Sequence, residues 1–527
     1  MRVLLLEPPK VPWEMMGDVV VPPLGLAQLA GCLEQAGIPV QLLDANALGI
    51  GWKKLPAAIA EAAPDLIGMT AYTPYVPEVS RAVGIARQAA PQAVIALGGP
   101  HVTFTVEETL TTMPGADLVA RGEGDQIIVD LARAVADGSG LEGVPGISFR
   151  RNGQIVENPL PPLVDVKQLP LPAFHLLPMD RYHWRGFGGT FATLVSSRGC
   201  PFKCTFCSEW PFWGGRWRPY DPQAVIEQLD LLVNRYGQRN IWFGDDCFNV
   251  DHDHVAAICE GIVERGIEMS WFYQGRADML VKYQDLLPLM RRSGNRMAQI
   301  GIEAASDEQR DGLNKQLRTD TVKEAVRLLR EHDIVCQGMM MVGLPEDSPR
   351  TFAQKVRLIN DLDIDFPVFV FYTLFPGTPT YREAVAQGQI KIPADYSRHD
   401  MAHALLPTKY MTRQQIYNYA GWAFTRVYLH PVRLARYLFS ANDWRRFWWL
   451  EMVRYVLKQM ARNLLPTKYL TRQQIYNYTG WAFTRVYLHP VRLARYLFSA
   501  NDWRRFWWLE MVRYVLKQMA RNLLPRF

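Results

Sequence analysis

The first 145 residues alternate short apolar runs with stretches of helical period. Val3–Leu6, Val40–Leu43, Leu66–Thr70, Val94–Leu97 and Leu118–Val119 have the length of buried strands, and Leu24–Ala36 repeats its apolar positions at helical spacing. Strands alternating with helices in this way predict an α/β domain with a doubly wound, Rossmann-like parallel sheet. In such a sheet the ligand crevice opens at the C-terminal ends of the strands. The turns that fall there are small or polar: Thr70-Ala71-Tyr72, Gly98-Gly99-Pro100-His101 and Arg121-Gly122-Glu123-Gly124. Residues of this kind let a ligand approach the backbone closely.

Between 151 and 185 the pattern lapses, and Pro159, Pro161, Pro162, Pro170, Pro172 and Pro178 predict a semi-rigid connector. Alternation then resumes. Phe191–Ser196, Asn240–Phe243, Met269–Gln274, Met297–Ile302, Val335–Met341 and Val368–Tyr372 are strand candidates with helical stretches between them. Six such units predict an open, partial (β/α)6 barrel of the TIM type, with site residues at the strands' C-terminal ends. The expected domains are therefore 1–150, a connector over 151–185, a barrel over 186–400 and a helical region over 401–463. A near-identical duplicate of that region follows over 464–527.

The duplication is unusual. Leu405–Asn463 recurs as Leu464–Asn522, and only Met411/Leu470 and Ala420/Thr479 differ. A solenoid repeat diverges while keeping its core pattern, so two near-identical copies read as a recent duplication or an assembly artefact, and one copy is expected to suffice. Each copy carries ten Lys and Arg against two Asp and Glu, so the net charge of +6 resides in the tail. Its Trp444-Arg445-Arg446-Phe447-Trp448-Trp449 run is compatible with peripheral contact to an anionic membrane, or with a helical cap whose arginines face solvent. No recognition module accompanies the charge, so nucleic acid is not expected as a partner.

The length of 527 residues, 49% of them apolar, implies several folded domains. No apolar run approaches a bilayer's thickness, and Met1–Leu6 leads into Glu7-Pro8-Pro9 rather than a cleavage site, so a cytoplasmic location is expected. Seven cysteines do not form a secreted disulfide framework. Cys32, Cys247, Cys259 and Cys336 are scattered, whereas three crowd into one loop.

That loop, Arg198-Gly199-Cys200-Pro201-Phe202-Lys203-Cys204-Thr205-Phe206-Cys207, follows the first barrel strand. Three thiolates spaced C-x3-C-x2-C can each hold one iron of a 4Fe-4S cluster and leave the fourth iron open. Structural zinc wants four ligands, and a redox C-x-x-C pair has no use for Cys200.

With this loop the chain resembles the radical S-adenosylmethionine superfamily, in its branch with an N-terminal cobalamin-binding domain. The resemblance implies that S-adenosylmethionine chelates the open iron and is cleaved reductively to a 5′-deoxyadenosyl radical. It also implies an electron donor such as ferredoxin or flavodoxin. On the same basis Gly244, Asp245 and Asp246 stand where the family contacts the methionine moiety. Arg276 and Glu303 would meet its carboxylate and the ribose, and Phe206 and Gly343 would seat the adenosine. Each could equally be a cap, a turn or a surface ion pair. In the first domain the resemblance rests on Pro22-Pro23-Leu24-Gly25-Leu26 and on the turns containing Thr70, Gly98, Gly99, His101, Gly122 and Glu123. The D-x-H-x-x-G pattern that supplies a lower cobalt ligand is absent, and His101 either contacts the corrin or hydrogen-bonds within its turn.

Within the branch, the Tyr/Arg-rich region after residue 405 and three shorter segments resemble the oxygen-independent cyclases that close the fifth ring of the bacteriochlorophyll skeleton from magnesium-protoporphyrin IX monomethyl ester. The shorter segments are Cys207-Ser208-Glu209-Trp210-Pro211-Phe212-Trp213, Arg218-Pro219-Tyr220-Asp221-Pro222 and Phe375-Pro376-Gly377-Thr378-Pro379. This implies a porphyrin-type substrate. Trp210, Phe212 and Trp213 pack the loop against the barrel, stack on that substrate, or do both. The alternative reaction is cobalamin-dependent methyl transfer, which uses the same two domains. A non-catalytic iron–sulfur electron carrier is disfavoured by the missing fourth ligand.

Overall fold

The structure is a computed structural model and describes residues 1–10, 19–184 and 189–464. In chain order the first strands are β1 Val3–Glu7, β2 Val19–Val20, β3 Val40–Asp44, β4 Leu66–Thr70, β5 Val94–Gly98, β6 Leu118–Ala120, β7 Ile147–Arg151 and β8 Gln154–Glu157. Seven of them form one sheet in the order β3-β1-β4-β5-β6-β7-β8. The β3-β1-β4-β5-β6 part is parallel. A parallel sheet is stable when both faces are covered, and side-chain alternation along β1 shows that here. Leu4 and Leu6 enter one core with Ile67, Met69, Ile95 and helix Val76–Ala89. Val3 and Leu5 enter the other, with helices Leu24–Gln35 and Gly124–Asp137. This is the doubly wound α/β domain that the pattern predicts.

The sheet runs on past residue 150, where a connector was expected. β7 and β8 form an antiparallel hairpin joined by Asn152 and Gly153, both with positive φ (52° and 78°). Asn-Gly is the favoured two-residue hairpin turn because both positions tolerate that backbone. The prolines after it do not leave a free strap. Val166, Phe174 and Tyr182 are buried. Tyr182 Oη donates to Asp44 at 2.9 Å, and Gln28 donates to the Pro170 carbonyl at 3.0 Å. Gly31 has no side chain because a Cβ there would lie 2.4 Å from the Leu171 carbonyl oxygen.

The remaining strands are β9 His183–Trp184, β10 Gly189–Leu194, β11 Ser197–Arg198, β12 Arg218–Pro219, β13 Asn240–Phe243, β14 Ser270–Gly275, β15 Asn295–Glu303, β16 Val335–Val342 and β17 Phe366–Phe371. β10 and β13–β17 lie side by side in chain order and all parallel, with helices between them: the expected six-stranded partial barrel. Its edge is extended by β9 and by β2, which belongs to the N-terminal part of the chain. β11 and β12 form a separate small ladder at the mouth of the barrel.

The chain divides into two units that part between residues 420 and 421. Helix Arg413–Tyr428 crosses the division, and Pro431–Leu438 and Asp443–Leu464 follow. Within the second unit Trp449 is fully buried, its ring stacked on Tyr437 at 4.4 Å, with the Arg433 guanidinium 5.1 Å above it. The aromatic run therefore turns Trp448 and Trp449 inward. Among the described residues no helix is long and apolar enough to cross a membrane. The duplicate copy lies outside the described residues from 465 onward.

Candidate active site

Residues 199–217 leave the mouth of the barrel between β11 and β12, and this excursion carries the three cysteines. Gly199, at φ +87°, starts it, and a Cβ there would lie 2.0 Å from the Arg216 carbonyl oxygen. Only glycine fits this turn. Cys204 is buried, and Cys200 and Cys207 are half-buried. The loop is pinned from several sides. Trp210 Nε1 donates to the Cys204 carbonyl at 2.9 Å, Thr205 N to Leu313 O at 3.0 Å, and Asn314 Nδ2 to Lys203 O at 2.7 Å. Phe206 is half-buried within it. Cys247, scattered in sequence, is buried beside Cys200, and its thiol hydrogen bond is the main reason the Cys200 thiol falls to about 7. Burial pushes the Cys204 and Cys207 thiols up. Among the described residues no three His, Cys, Asp or Glu side chains converge on one point at metal-ligand distance.

The aspartates after β13 act inward on this loop. Asp245 is fully buried and accepts from Ser196 N (3.0 Å), Ser196 Oγ (2.8 Å) and Ser197 Oγ (2.5 Å). Its side chain is thereby committed to the end of β10. Asp246 accepts from Gly199 N at 3.0 Å and hydrogen-bonds Glu209. Desolvation pushes both of these carboxyls up, and their mutual contact needs a proton between them. Gly244 has only ordinary contacts around the place of a Cβ.

Arg276 and Glu303 also have protein partners. Arg276 grips Asp278 through Nε (2.9 Å) and Nη2 (2.7 Å) and lies 3.9 Å above the Phe202 ring. Glu303 closes a β-bulge at φ +66° and accepts from Lys315 Nζ at 2.8 Å. Lys315 was not among the expected residues. Its buried ammonium acts electrostatically on both Cys200 and Cys204. The backbone presents it between two left-handed residues, Asn314 (φ +50°) and Gln316 (φ +51°). Gly301 makes room for the pair, since a Cβ there would lie 2.0 Å from Glu303 Oε1. The Gly312-Leu313-Asn314 turn was the one hint in the sequence. Gly343, at φ +82°, donates its N–H to Asp347 at 2.9 Å, and Asp347 forms a fully buried ion pair with Lys355.

In the first domain Thr70 and Gly98 lie opposite each other at the strand ends, half-buried. Gly99 (φ +101°) passes so close that a Cβ would meet Ala71 O at 2.9 Å. His101 makes hydrogen-bond and ring contacts within its surroundings. It is 2% exposed, its Nδ1 lies 3.1 Å from Thr73 Oγ1, its ring meets Tyr396 edge-on at 4.4 Å, and burial lowers its pKa to about 3. Gly122 (φ +75°) donates to Thr103 Oγ1. Glu123, expected to face a ligand, is instead taken by Arg198 and Arg218, because a buried carboxylate needs paired charge. Tyr72, 46% exposed at the end of β4, feels Glu7 and Lys10 on one side and Glu209 and Asp246 on the other.

Segments distant in sequence meet beside that loop. Gly377 (φ +86°) backs onto the Phe104 ring, whose edge contacts Phe212 at 6.4 Å, and Phe212 in turn meets Trp213 at 4.7 Å. Phe212 and Trp213 therefore pack the loop against its surroundings.

Residues 18–132 match the family model described as B12 binding domain, and residues 194–359 match that of the Radical SAM superfamily. The chain is a cobalamin-binding radical SAM enzyme, with a 4Fe-4S cluster, S-adenosylmethionine and cobalamin as its cofactors. It is 29% identical to an uncharacterized methyltransferase of Pyrococcus horikoshii over 89% of this chain and 99% of that protein. It is also 29% identical to the anaerobic magnesium-protoporphyrin IX monomethyl ester cyclase of Cereibacter sphaeroides, over 83% of this chain and 72% of that one. The fold is similar to that of the radical S-adenosylmethionine methyltransferase TsrM from Kitasatospora setae, with a TM-score of 0.67 at 20% identity, covering 87% of this chain and 99% of that one.

Proposed function

We propose that this enzyme is an oxygen-independent oxidative cyclase that closes the isocyclic ring on magnesium-protoporphyrin IX monomethyl ester. The observation that carries the reading is the convergence around the cysteine loop of Phe212, Trp213 and Gly377, which belong to two of the cyclase-like segments, together with similarity to the Cereibacter cyclase over most of the chain. In this reading Cys200, Cys204 and Cys207 hold the cluster, and the donor set fits: three thiols in one pinned loop and no fourth within it. The cluster and S-adenosylmethionine together supply a hydrogen-abstracting radical when an external reductant such as ferredoxin or flavodoxin provides the electron.

The chain's own residues position and shield. Asp245 and Asp246 fix the start of the loop. Arg276 and Lys315 place two buried positive charges beside it, which suits the methionine carboxylate, and Glu303 neutralises one of them. Phe206, Gly244 and Gly343 complete the place of S-adenosylmethionine, and Thr70, Gly98, Gly99 and Gly122 border the cobalamin crevice. Hydrogen removal from the propionate ester side chain and further oxidation, with additional equivalents of S-adenosylmethionine as the oxidant and water as the source of the ketone oxygen, would precede the carbon–carbon bond that closes the ring.

Methyl transfer is the second reading, favoured by the Pyrococcus relative, which this chain matches along nearly its whole length. The test is the mass of the product formed from the magnesium porphyrin ester under anoxia with reductant and S-adenosylmethionine. Ring closure with 5′-deoxyadenosine released supports the cyclase. Added methyl groups with S-adenosylhomocysteine overturn it in favour of the transferase.

A further inference from the structure

The neck of the cysteine loop carries a charge conflict. On the antiparallel β11-β12 ladder Arg198 and Arg218 are direct partners, and like charges opposite each other push strands apart. Both side chains are largely buried, at 10% and 17% exposure. The carboxylates that resolve the conflict come from the first domain, at the turn that follows β6. Glu123 accepts from Arg198 Nη1 (2.9 Å) and from Arg218 through both Nη1 (3.0 Å) and Nη2 (2.8 Å). Asp125, in the first turn of helix Gly124–Asp137, takes Arg198 bidentately at 2.7 and 3.0 Å. Trp213 lies 5.8 Å from each guanidinium carbon, and Glu123 also accepts from Val164 N at 3.0 Å.

We propose that Glu123 is a positioning residue: acting through Arg198 and Arg218, it closes the neck of the cysteine loop and ties that loop to the crevice of the first domain. The same Arg121–Gly124 turn borders the cobalamin crevice, so a corrin that orders the turn also orders the loop. The proposal rests on the reading of this loop as the holder of the cluster. Without Glu123, Arg218 keeps the Val164 carbonyl at 2.8 Å and the Trp213 ring, and faces Arg198 with no carboxylate hydrogen-bonded to it among the described residues.

Hydrogen exchange on the full chain, free of cofactors, tests this. Glu123→Gln should speed exchange of amides 199–217 about tenfold or more while β14–β16 hold their rates. Arg218→Gln in the Glu123→Gln background should restore part of the protection by removing the stranded charge. Hydroxocobalamin should slow loop exchange more in the native chain than in the Arg218→Gln variant, where only the Arg198 contacts still join the turn to the loop. Unchanged loop rates in both variants, equal acceleration across β14–β16, or equal slowing by cobalamin in native and variant chains would overturn the proposal. Iron retained by a C200A/C204A/C207A chain would sink the cluster reading instead, and the exchange result, read without iron, would stand.

Discussion

His101 offers a quantitative check on the reading of the first domain. Its ring is 2% exposed, bonded to Thr73 and packed on Tyr396, and burial lowers its pKa from 6.5 to about 3. Below pH 6.5 the unfolded chain protonates this imidazole while the folded chain does not, so its contribution is intact above 6.5 and lost as pH falls toward 3. At pH 5 the loss depends on the unfolded pKa alone. One and a half units at about 1.4 kcal/mol each give about 2 kcal/mol. His101→Asn keeps a polar partner for Thr73 and removes the titration. The assay is urea unfolding at pH 7 and pH 5, followed by a first-domain probe. The native midpoint should fall with acidification by about 0.7 M more than that of the variant, for a slope near 3 kcal/mol/M. His254, also lowered by burial, shifts both proteins alike. An identical pH dependence in the two proteins would refute a buried neutral His101. So would a changed cobalamin absorption spectrum in the variant, which would mean that the ring touches the corrin.

Three further outcomes are expected. Gly199→Ala places a Cβ against Arg216 O at a left-handed backbone, costing about 1–2 kcal/mol before the clash, and should lower iron bound per chain after reconstitution. Asp347→Asn strands the fully buried Lys355 and should cost about 3–5 kcal/mol by thermal or urea unfolding. Lys355→Met added to it should return at least about 1 kcal/mol. Glu303→Gln leaves the buried Lys315 ammonium without its carboxylate and should cost about 1–3 kcal/mol by urea unfolding.

Local pattern was enough for much of the architecture. Apolar runs of strand length between helical stretches fixed the doubly wound domain and the six-stranded partial barrel, because burial on two faces leaves its mark in every strand. The cysteine spacing likewise carried its chemistry within eight residues. What the sequence left undecided depends on residues far apart in the chain. Lys315 joins the site only because β15 ends in a bulge and a left-handed turn swings the ammonium back to Glu303. Cys247 looked unrelated to the triad until β13 delivered it to Cys200. Glu123, read as a ligand contact from its turn, and His101, open between the corrin and its turn, bond partners 75 and 28 residues away. A buried charge or imidazole is committed by whatever partner the tertiary fold brings within hydrogen-bond distance, and no local motif records which partner that is.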